Sequence, residues 1–229
     1  KGRGLQFVPV DVEGRPNVAA LNAEFDEAYL SDKRNPRWVA KPTVAYLWAR
    51  TVTCKNCRAT IPLLKTMWLC KSDLRRVLLT MEANTDKTSV IFGVQQSVPQ
   101  SSASPAARRE HDKRISAGTM SRSGATCPCC GTIMEMEDIR LEGRVGRLGT
   151  MMTAVAIDGQ DSKEFRLPSP LEIQAAAEAE NEVLNVFAEI PFGLPTESLP
   201  SKEALGFRVP LYGFDQLHKL FTRRQLLAV

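Results

Sequence analysis

The spacing of the cysteines limits the folds open to this chain more than any other feature. Cys54 and Cys57 form one Cys-x-x-Cys pair, and Cys127 and Cys130 form a second pair that also encloses Cys129. Each pair places two thiolates across a tight turn, where both sulfurs can bind one ion at about 2.3 Å. Two such pairs supply the four ligands of a tetrahedral zinc site. The sequence therefore predicts a zinc ion held by Cys54, Cys57, Cys127 and Cys130.

The long separation between the two pairs leaves alternatives open. Residues 58–126 lie between them, a stretch of 69 residues, whereas compact sites of this kind have about 15 to 20. A disulfide or a redox role for the Cys-x-x-Cys pairs is the alternative to metal binding. Cys129 could also replace Cys130 as a ligand, while Cys70 is expected to be a buried thiol. Because four thiolates leave no coordination position for water, the predicted zinc is structural.

Charge is distributed unevenly along the chain, although the net charge is only +4. Residues 33–87 contain twelve Lys or Arg against three Asp or Glu, and residues 158–206 contain ten acidic against three basic residues. A basic block can face a polyanion, and the same side chains can equally solvate the outer face of a sheet. The candidate nucleic-acid contacts are Lys55, Arg58, Lys65, Lys71, Arg75 and Arg76, together with Arg144 and Arg147.

The pattern of apolar residues and turn formers predicts an α+β fold in three segments. Residues 1–40 are a lead-in segment with a short helix near residues 19–30. Residues 41–157 form a zinc-ribbon module with antiparallel β-strands, including one over residues 133–139. Within this module, residues 95–124 lack periodicity and predict a disordered loop. Residues 158–229 are acidic, Pro-rich and helical, and two capping-box patterns, which begin at Ser169 and Thr222, mark helix starts.

The sequence contains no set of residues that predicts a catalytic centre. His111 lies in the predicted loop and His218 lies near the last residue, so neither is expected to be a catalytic base. No glycine-rich nucleotide motif follows a predicted strand. Arg144 and Arg147 alternate with glycines, which suits either contact with a phosphate or a salt-bridged turn. No apolar run reaches the roughly 20 residues that span a bilayer and no signal pattern is present, so a cytoplasmic protein without membrane contact is expected.

Five stretches of the sequence resemble one known family. They are residues 44–54, 61–64, 124–131, 138–149 and 220–228, which include Cys54 and the run Cys127-Pro128-Cys129-Cys130-Gly131. In this order they resemble the central region of the adenine-specific DNA methylases that contain a zinc ribbon. The resemblance covers about residues 36 to 229 and extends to the four cysteines. Arg58 departs from the family, in which a glycine after the first pair is more usual.

The resemblance implies that this chain is an interior fragment of a larger α/β methyltransferase, often associated with phage defence or restriction-modification. Such enzymes transfer a methyl group from S-adenosylmethionine to the exocyclic amine of adenine in DNA. Their methyl-donor loop would precede Lys1, and their Asp-Pro-Pro-Tyr motif would follow Val229. No catalytic residue is therefore expected here, and the chain alone should be inactive and bind no S-adenosylmethionine. The implied partners are DNA and the rest of the methyltransferase; the alternative is a structural or protein-interaction zinc module without a nucleic-acid role.

Overall fold

A computed structural model describes residues 26–32, 34, 42–72, 74–100, 104–159 and 162–227. The chain divides into two compact units, which comprise residues 1–45 with 156–164 and residues 46–155 with 165–229. The strands are β1 (Thr43–Thr53), β2 (Thr60–Pro62), β3 (Trp68–Lys71), β4 (Arg76–Ala83), β5 (Val90–Gln95), β6 (Gly124–Thr126), β7 (Ile133–Glu135), β8 (Gly149–Asp158) and β9 (Lys163–Arg166). The α-helices are α1 (Glu27–Ser31), α2 (Pro105–Ile115), α3 (Met136–Arg144), α4 (Pro170–Glu189), α5 (Lys202–Leu205) and α6 (Arg223–Leu226), and two 3₁₀ helices span Val209–Tyr212 and Leu217–Leu220.

The strands form antiparallel ladders, which confirms the prediction of an α+β fold with antiparallel strands. Among the described residues, the strand orders are β2-β1-β8-β9, β3-β4-β5 and β6-β7. The predicted lead-in helix, near residues 19–30, lies mostly outside the described residues, and its described part overlaps α1. No helix in the described ranges is both long and apolar enough to cross a membrane.

A small apolar core joins the two short hairpins that carry the cysteine pairs. In the first hairpin Val52 of β1 lies opposite Ile61 of β2, and in the second Ala125 of β6 lies opposite Met134 of β7. Alternate residues of a strand share one face, so each hairpin turns one apolar face inward. The buried members of this core are Val52, Cys54, Ala59, Ile61, Ala125, Cys127, Met134 and Ile139. Cys54 and Cys127 are therefore part of a packed interior, whereas Cys57 is half-buried and Cys130 is exposed.

The segment predicted as a disordered loop, residues 95–124, contains a helix. α2 begins after Ser104, whose hydroxyl accepts a hydrogen bond from the amide of Ala107 at 3.4 Å. The buried residue of α2 is Asp112, which forms an ion pair with Arg76 of β4. The loop prediction is therefore wrong over Pro105–Ile115. An ion pair rather than an apolar stripe docks this helix, so the sequence lacks the periodicity that identifies a packed helix.

The strand predicted over residues 133–139 is also only partly correct. β7 ends at Glu135, and α3 begins at the next residue. The carboxylate of Asp138 accepts a hydrogen bond from the Glu135 amide at 2.9 Å, which satisfies one of the amides left unpaired at the helix start. α3 buries Ile139 and Gly143. A Cβ at Gly143 would lie 2.2 Å from the carbonyl oxygen of Tyr212, so only glycine allows this close approach.

Both helix starts predicted from capping boxes are present. At α4 the Ser169 hydroxyl accepts from the Glu172 amide at 3.3 Å, and the Glu172 carboxylate accepts from the Ser169 amide at 2.7 Å. At α6 the Thr222 and Gln225 side chains make the reciprocal bonds. α4 leaves several large apolar residues exposed, namely Leu171, Ile173, Leu184 and Val186.

Candidate metal centre

Each cysteine pair lies on a tight turn, and the two turns have the same backbone hydrogen bonds. In the first, the Arg58 amide donates to the Cys54 carbonyl at 3.1 Å, and the Cys54 amide donates to the Ala59 carbonyl at 2.8 Å. In the second, the amides of Gly131 and Cys127 donate to the carbonyls of Cys127 and Thr132, both at 2.9 Å. The two turns therefore present their sulfurs in the same way.

The residue after each pair adopts a left-handed backbone conformation. Its φ is +66° at Arg58 and +76° at Gly131. Arg58 thus occupies in the first turn the place that Gly131 occupies in the second. Glycine adopts this conformation without steric cost, whereas a residue with a Cβ is strained there. Strain at Arg58 is the local cost of forming the first turn with this sequence.

The four predicted ligands converge on one point. The sulfurs of Cys54, Cys57, Cys127 and Cys130 all lie within 4.8 Å of one another. Cys54 Sγ lies 3.7 Å from Cys130 Sγ, and Cys57 Sγ lies 3.6 Å from Cys127 Sγ. A tetrahedral ion about 2.3 Å from each sulfur requires sulfurs about 3.8 Å apart. A disulfide requires about 2.05 Å, and all six cysteines are free thiols. The geometry thus fits a metal site, and the disulfide alternative is wrong for this structure.

The environment shifts the pKa values of two thiols of the cluster in opposite directions. Burial raises the pKa of the Cys127 thiol to about 12, whereas hydrogen bonds from Thr132 lower the pKa of Cys130 to about 5. Four thiolates this close repel one another unless a cation lies between them. A bound dication favours the ionised form of each ligand, so metal binding to this set releases protons and weakens as pH falls.

The two remaining cysteines lie outside this cluster. Cys129 points its sulfur toward the carbonyl oxygen of Ser89, 3.4 Å away. Cys70 lies in β3 and is half-buried rather than fully buried as predicted. The structure therefore selects Cys130 over Cys129 as the fourth member, a choice that spacing alone left open.

Comparison with known proteins adds no relative from which a role could be transferred. No protein-family model, curated protein or solved structure matches this chain.

Most of the cations predicted to contact nucleic acid are paired with carboxylates. Lys55 Nζ lies 2.6 Å from Asp138, and Arg147 makes a two-bond contact with Glu142 at 2.7 Å. The sequence allowed Arg144 and Arg147 either to contact a phosphate or to form a salt-bridged turn. Their contacts with carboxylates favour the salt-bridged turn. The pairs formed by the predicted cations are Lys55 with Asp138, Lys71 and Arg76 with Asp112, Arg144 with Glu137, and Arg147 with Glu142.

Arg76 is the clearest departure from the predicted nucleic-acid surface. Its side chain is 7% exposed, its Nε donates to the Val98 carbonyl at 3.1 Å, and both terminal nitrogens donate to Asp112. Its guanidinium also stacks on the Trp68 ring at 4.8 Å. Because its side chain is buried and its nitrogens are bonded within the protein, Arg76 is not the exposed cation that the prediction assumed.

The paired cations other than Arg76 remain exposed, as do two of the other three predicted cations. Arg58 and Lys65 are exposed, and Arg75 is half-buried next to the fully exposed Leu74. Sequence reasoning also missed Arg50, a half-buried cation in β1 beside Phe214. The available signal was an arginine inside an apolar, β-branched strand, where a charge is costly unless it has a partner.

Proposed function

We propose that Cys54, Cys57, Cys127 and Cys130 bind one structural zinc ion. The observation that carries this proposal is the convergence of four sulfurs within 4.8 Å at the junction of two hairpins. Four thiolates suit zinc better than the hard cations, which prefer oxygen ligands. All four positions of a tetrahedral ion would be filled, so the ion would stabilise the fold and leave no position for a reacting water.

Zinc content tests this part of the proposal. Protein purified under reducing conditions is expected to contain one zinc per chain, and Cys54→Ser or Cys130→Ser should lower that content to well below one. Cys129→Ser is the matched control, since its sulfur lies in the same turn but faces the Ser89 carbonyl. Full zinc content in Cys130→Ser together with loss in Cys129→Ser would reverse the ligand assignment, and absence of zinc from the wild-type protein would reject it.

We further propose that the zinc-containing region is an accessory part of an adenine-specific DNA methyltransferase and assists DNA binding. The support is the sequence resemblance and the excess of Lys and Arg over residues 33–87. S-adenosylmethionine and the reacting adenine would be bound by other parts of such an enzyme, where the base would be flipped from the duplex. Because Arg76 is buried, the candidate contacts reduce to the other predicted cations, among which Arg58 and Lys65 are exposed outside the ion pairs described above and Arg75 is half-buried.

Charge reversal tests the DNA proposal. The zinc-loaded chain is expected to bind duplex DNA weakly, with an affinity that falls steeply as salt rises. The double variant Lys65→Glu, Arg75→Glu should weaken binding about tenfold or more and reduce the slope of affinity against salt by about two to four. Arg208→Glu is the control, because this exposed arginine lies in the acidic third segment. Equal loss in the control, or salt-independent binding, would count against a DNA surface at Lys65 and Arg75.

A protein-interaction role is the second candidate, and the exposed apolar residues of α4 favour it. Ile173 and Leu184 fall on the same side of α4, and both are more than half exposed, as is Leu171 on the opposite side. Exposed apolar side chains of this size favour contact with a partner. In that case the zinc would stabilise a region that binds another protein domain. Polar substitutions on α4 would then disrupt assembly with the parent protein while DNA binding stays unchanged.

A further inference from the structure

An open cavity of about 480 Å³ lies beside β1, outside the cysteine centre. Its wall contains four cationic side chains and one carboxylate. The cations are Arg50, Arg144, Lys219 and Arg223, and the carboxylate is Glu180. A concave site with this excess of positive charge attracts anions more strongly than the same charges on a flat surface.

Three of the four cations already have a carboxylate partner. Arg144 pairs with Glu137, Lys219 Nζ lies 2.6 Å from Asp215, and Arg223 Nε lies 3.6 Å from Glu180. Arg50 has no carboxylate partner among the residues that the structure describes. The positive charge that is left uncompensated in the cavity is therefore that of Arg50.

The Arg50 guanidinium is held in a fixed position. Its Nη2 donates to the carbonyl oxygens of Lys219 and Leu220, each at 3.1 Å, and its plane stacks on the Phe214 ring at 4.3 Å. Burial lowers the pKa of Arg50, since the charged form loses hydration that no counter-ion replaces. These contacts fix the orientation of the guanidinium, but the loss of hydration destabilises its charge. An anion bound in the cavity would offset this desolvation cost.

The other groups in the wall suit a phosphate. The guanidinium fork of Arg50 matches the geometry of phosphate oxygens, and Lys219 adds a point charge. The hydroxyl of Thr222 accepts a bond from the Gln225 amide and keeps its own hydrogen to donate. Gly146 has no atom within 4 Å of its Cβ position, so this side of the cavity is open. The volume exceeds that of a phosphate ion and leaves room for the group that carries it.

We propose that this cavity binds the phosphate group of a phosphate-bearing ligand through Arg50 and Lys219. The proposal does not depend on the zinc ion or on DNA contact at Lys65 and Arg75. The phosphate could belong to a small phosphate ester or to a nucleic-acid backbone, and both present the same oxygens to Arg50. The probes below separate these two sources.

To test this, the zinc-loaded chain is titrated with inorganic phosphate, and the amide chemical shifts are recorded at each step. A titration with sodium chloride at equal ionic strength is the reference. Saturable shifts are expected at residues around the cavity. Arg50→Gln should weaken phosphate binding about tenfold or more, since hydrogen bonds to charged groups contribute at least this much. Lys219→Gln should weaken it about three- to tenfold, and it leaves the backbone carbonyl that holds Arg50 unchanged. Arg109→Gln, an exposed arginine on α2, should have no effect.

A short DNA duplex is the second probe. If the duplex shifts the same amides and Arg50→Gln removes that effect, the phosphate belongs to nucleic acid. If inorganic phosphate binds and the duplex leaves these amides unchanged, the ligand is a small phosphate ester. Arg50→Gln could instead act only on stability, through the carbonyl oxygens that it binds. A lower melting temperature with unchanged phosphate affinity in both Arg50→Gln and Lys219→Gln, or no saturable phosphate response in the wild type, would overturn the proposal.

Discussion

If the four cysteines hold the proposed zinc ion, its removal by a chelator or by Cys127→Ser is expected to unfold the region around them. Structural zinc contributes on the order of 10 kcal/mol to the folding of small sites, which is comparable with the net stability of a whole domain. Cys127 is 1% exposed and belongs to the same core as Val52, Ile61 and Met134. Loss of the ion would leave repelling thiolates inside that core. The thermal midpoint should fall by at least about 10 °C.

Amide hydrogen exchange would show which elements unfold when the metal is lost. Amides of β1, β2, β6 and β7 should lose protection when the metal is removed, whereas amides of α4 should change less. Cys129→Ser supplies the control, with a midpoint within about 2 °C of the wild type, because its sulfur is not part of the cluster. A chelated protein that keeps its midpoint and its protection would show that the four cysteines pack without needing an ion.

Asp112→Asn is expected to cause the largest loss of stability away from the metal centre, about 3 to 5 kcal/mol. Arg76 and Asp112 are both 7% exposed, and Lys71 Nζ lies 3.1 Å from the same carboxylate. Neutralising Asp112 leaves the Arg76 charge buried without its partner, and it detaches α2 from β4. Urea unfolding of the zinc-loaded protein measures the change in the free energy of unfolding.

The pH dependence of this effect has a definite direction. The Arg76 guanidinium, with a smaller contribution from Lys71, holds the pKa of Asp112 at about 2, below its ordinary value of about 3.9. A carboxyl with a lowered pKa stabilises the fold at pH values above its unfolded pKa, and this contribution is lost as pH falls through the folded pKa. The part of the difference between wild type and Asp112→Asn that comes from ionisation of Asp112 should therefore be complete above about pH 4 and be lost as pH falls to about 2. The double variant Arg76→Met, Asp112→Asn should recover most of the stability at neutral pH; failure to recover would mean that Asp112 acts through other contacts.

The cysteine centre and the two capped helices could be predicted because their signals are local in sequence. Two residues between paired cysteines fix the reach of both sulfurs, and Ser169 and Glu172 satisfy each other within one helical turn. α2 could not be found in this way. Its anchoring residue is Asp112, whose partner Arg76 lies 36 residues away in the sequence, so no periodic apolar pattern marks the helix.

The predicted basic surface was also unreliable because the partners of its cations are distant in sequence. Counting charges along residues 33–87 gives a strong excess of cations, but Lys55 and Lys71 find their carboxylates in residues 112 and 138, outside that window. Pairing between distant segments is a property of the fold. Arg50 shows the opposite case, because its lack of a carboxylate partner in the described part of the chain becomes visible only once β1 and the 3₁₀ helix Leu217–Leu220 are seen together.

The position of the two cysteine turns has a consequence for chain cleavage. They lie at the two ends of residues 58–126, so a bound ion would close this stretch, which contains β2 to β6 and α2, into a ring of covalent and coordinate bonds. A single protease cut anywhere within the ring would then leave both pieces attached to the same ion. The metal would thus hold a nicked chain in one piece, and separation of the fragments would require both the cut and the loss of the ion.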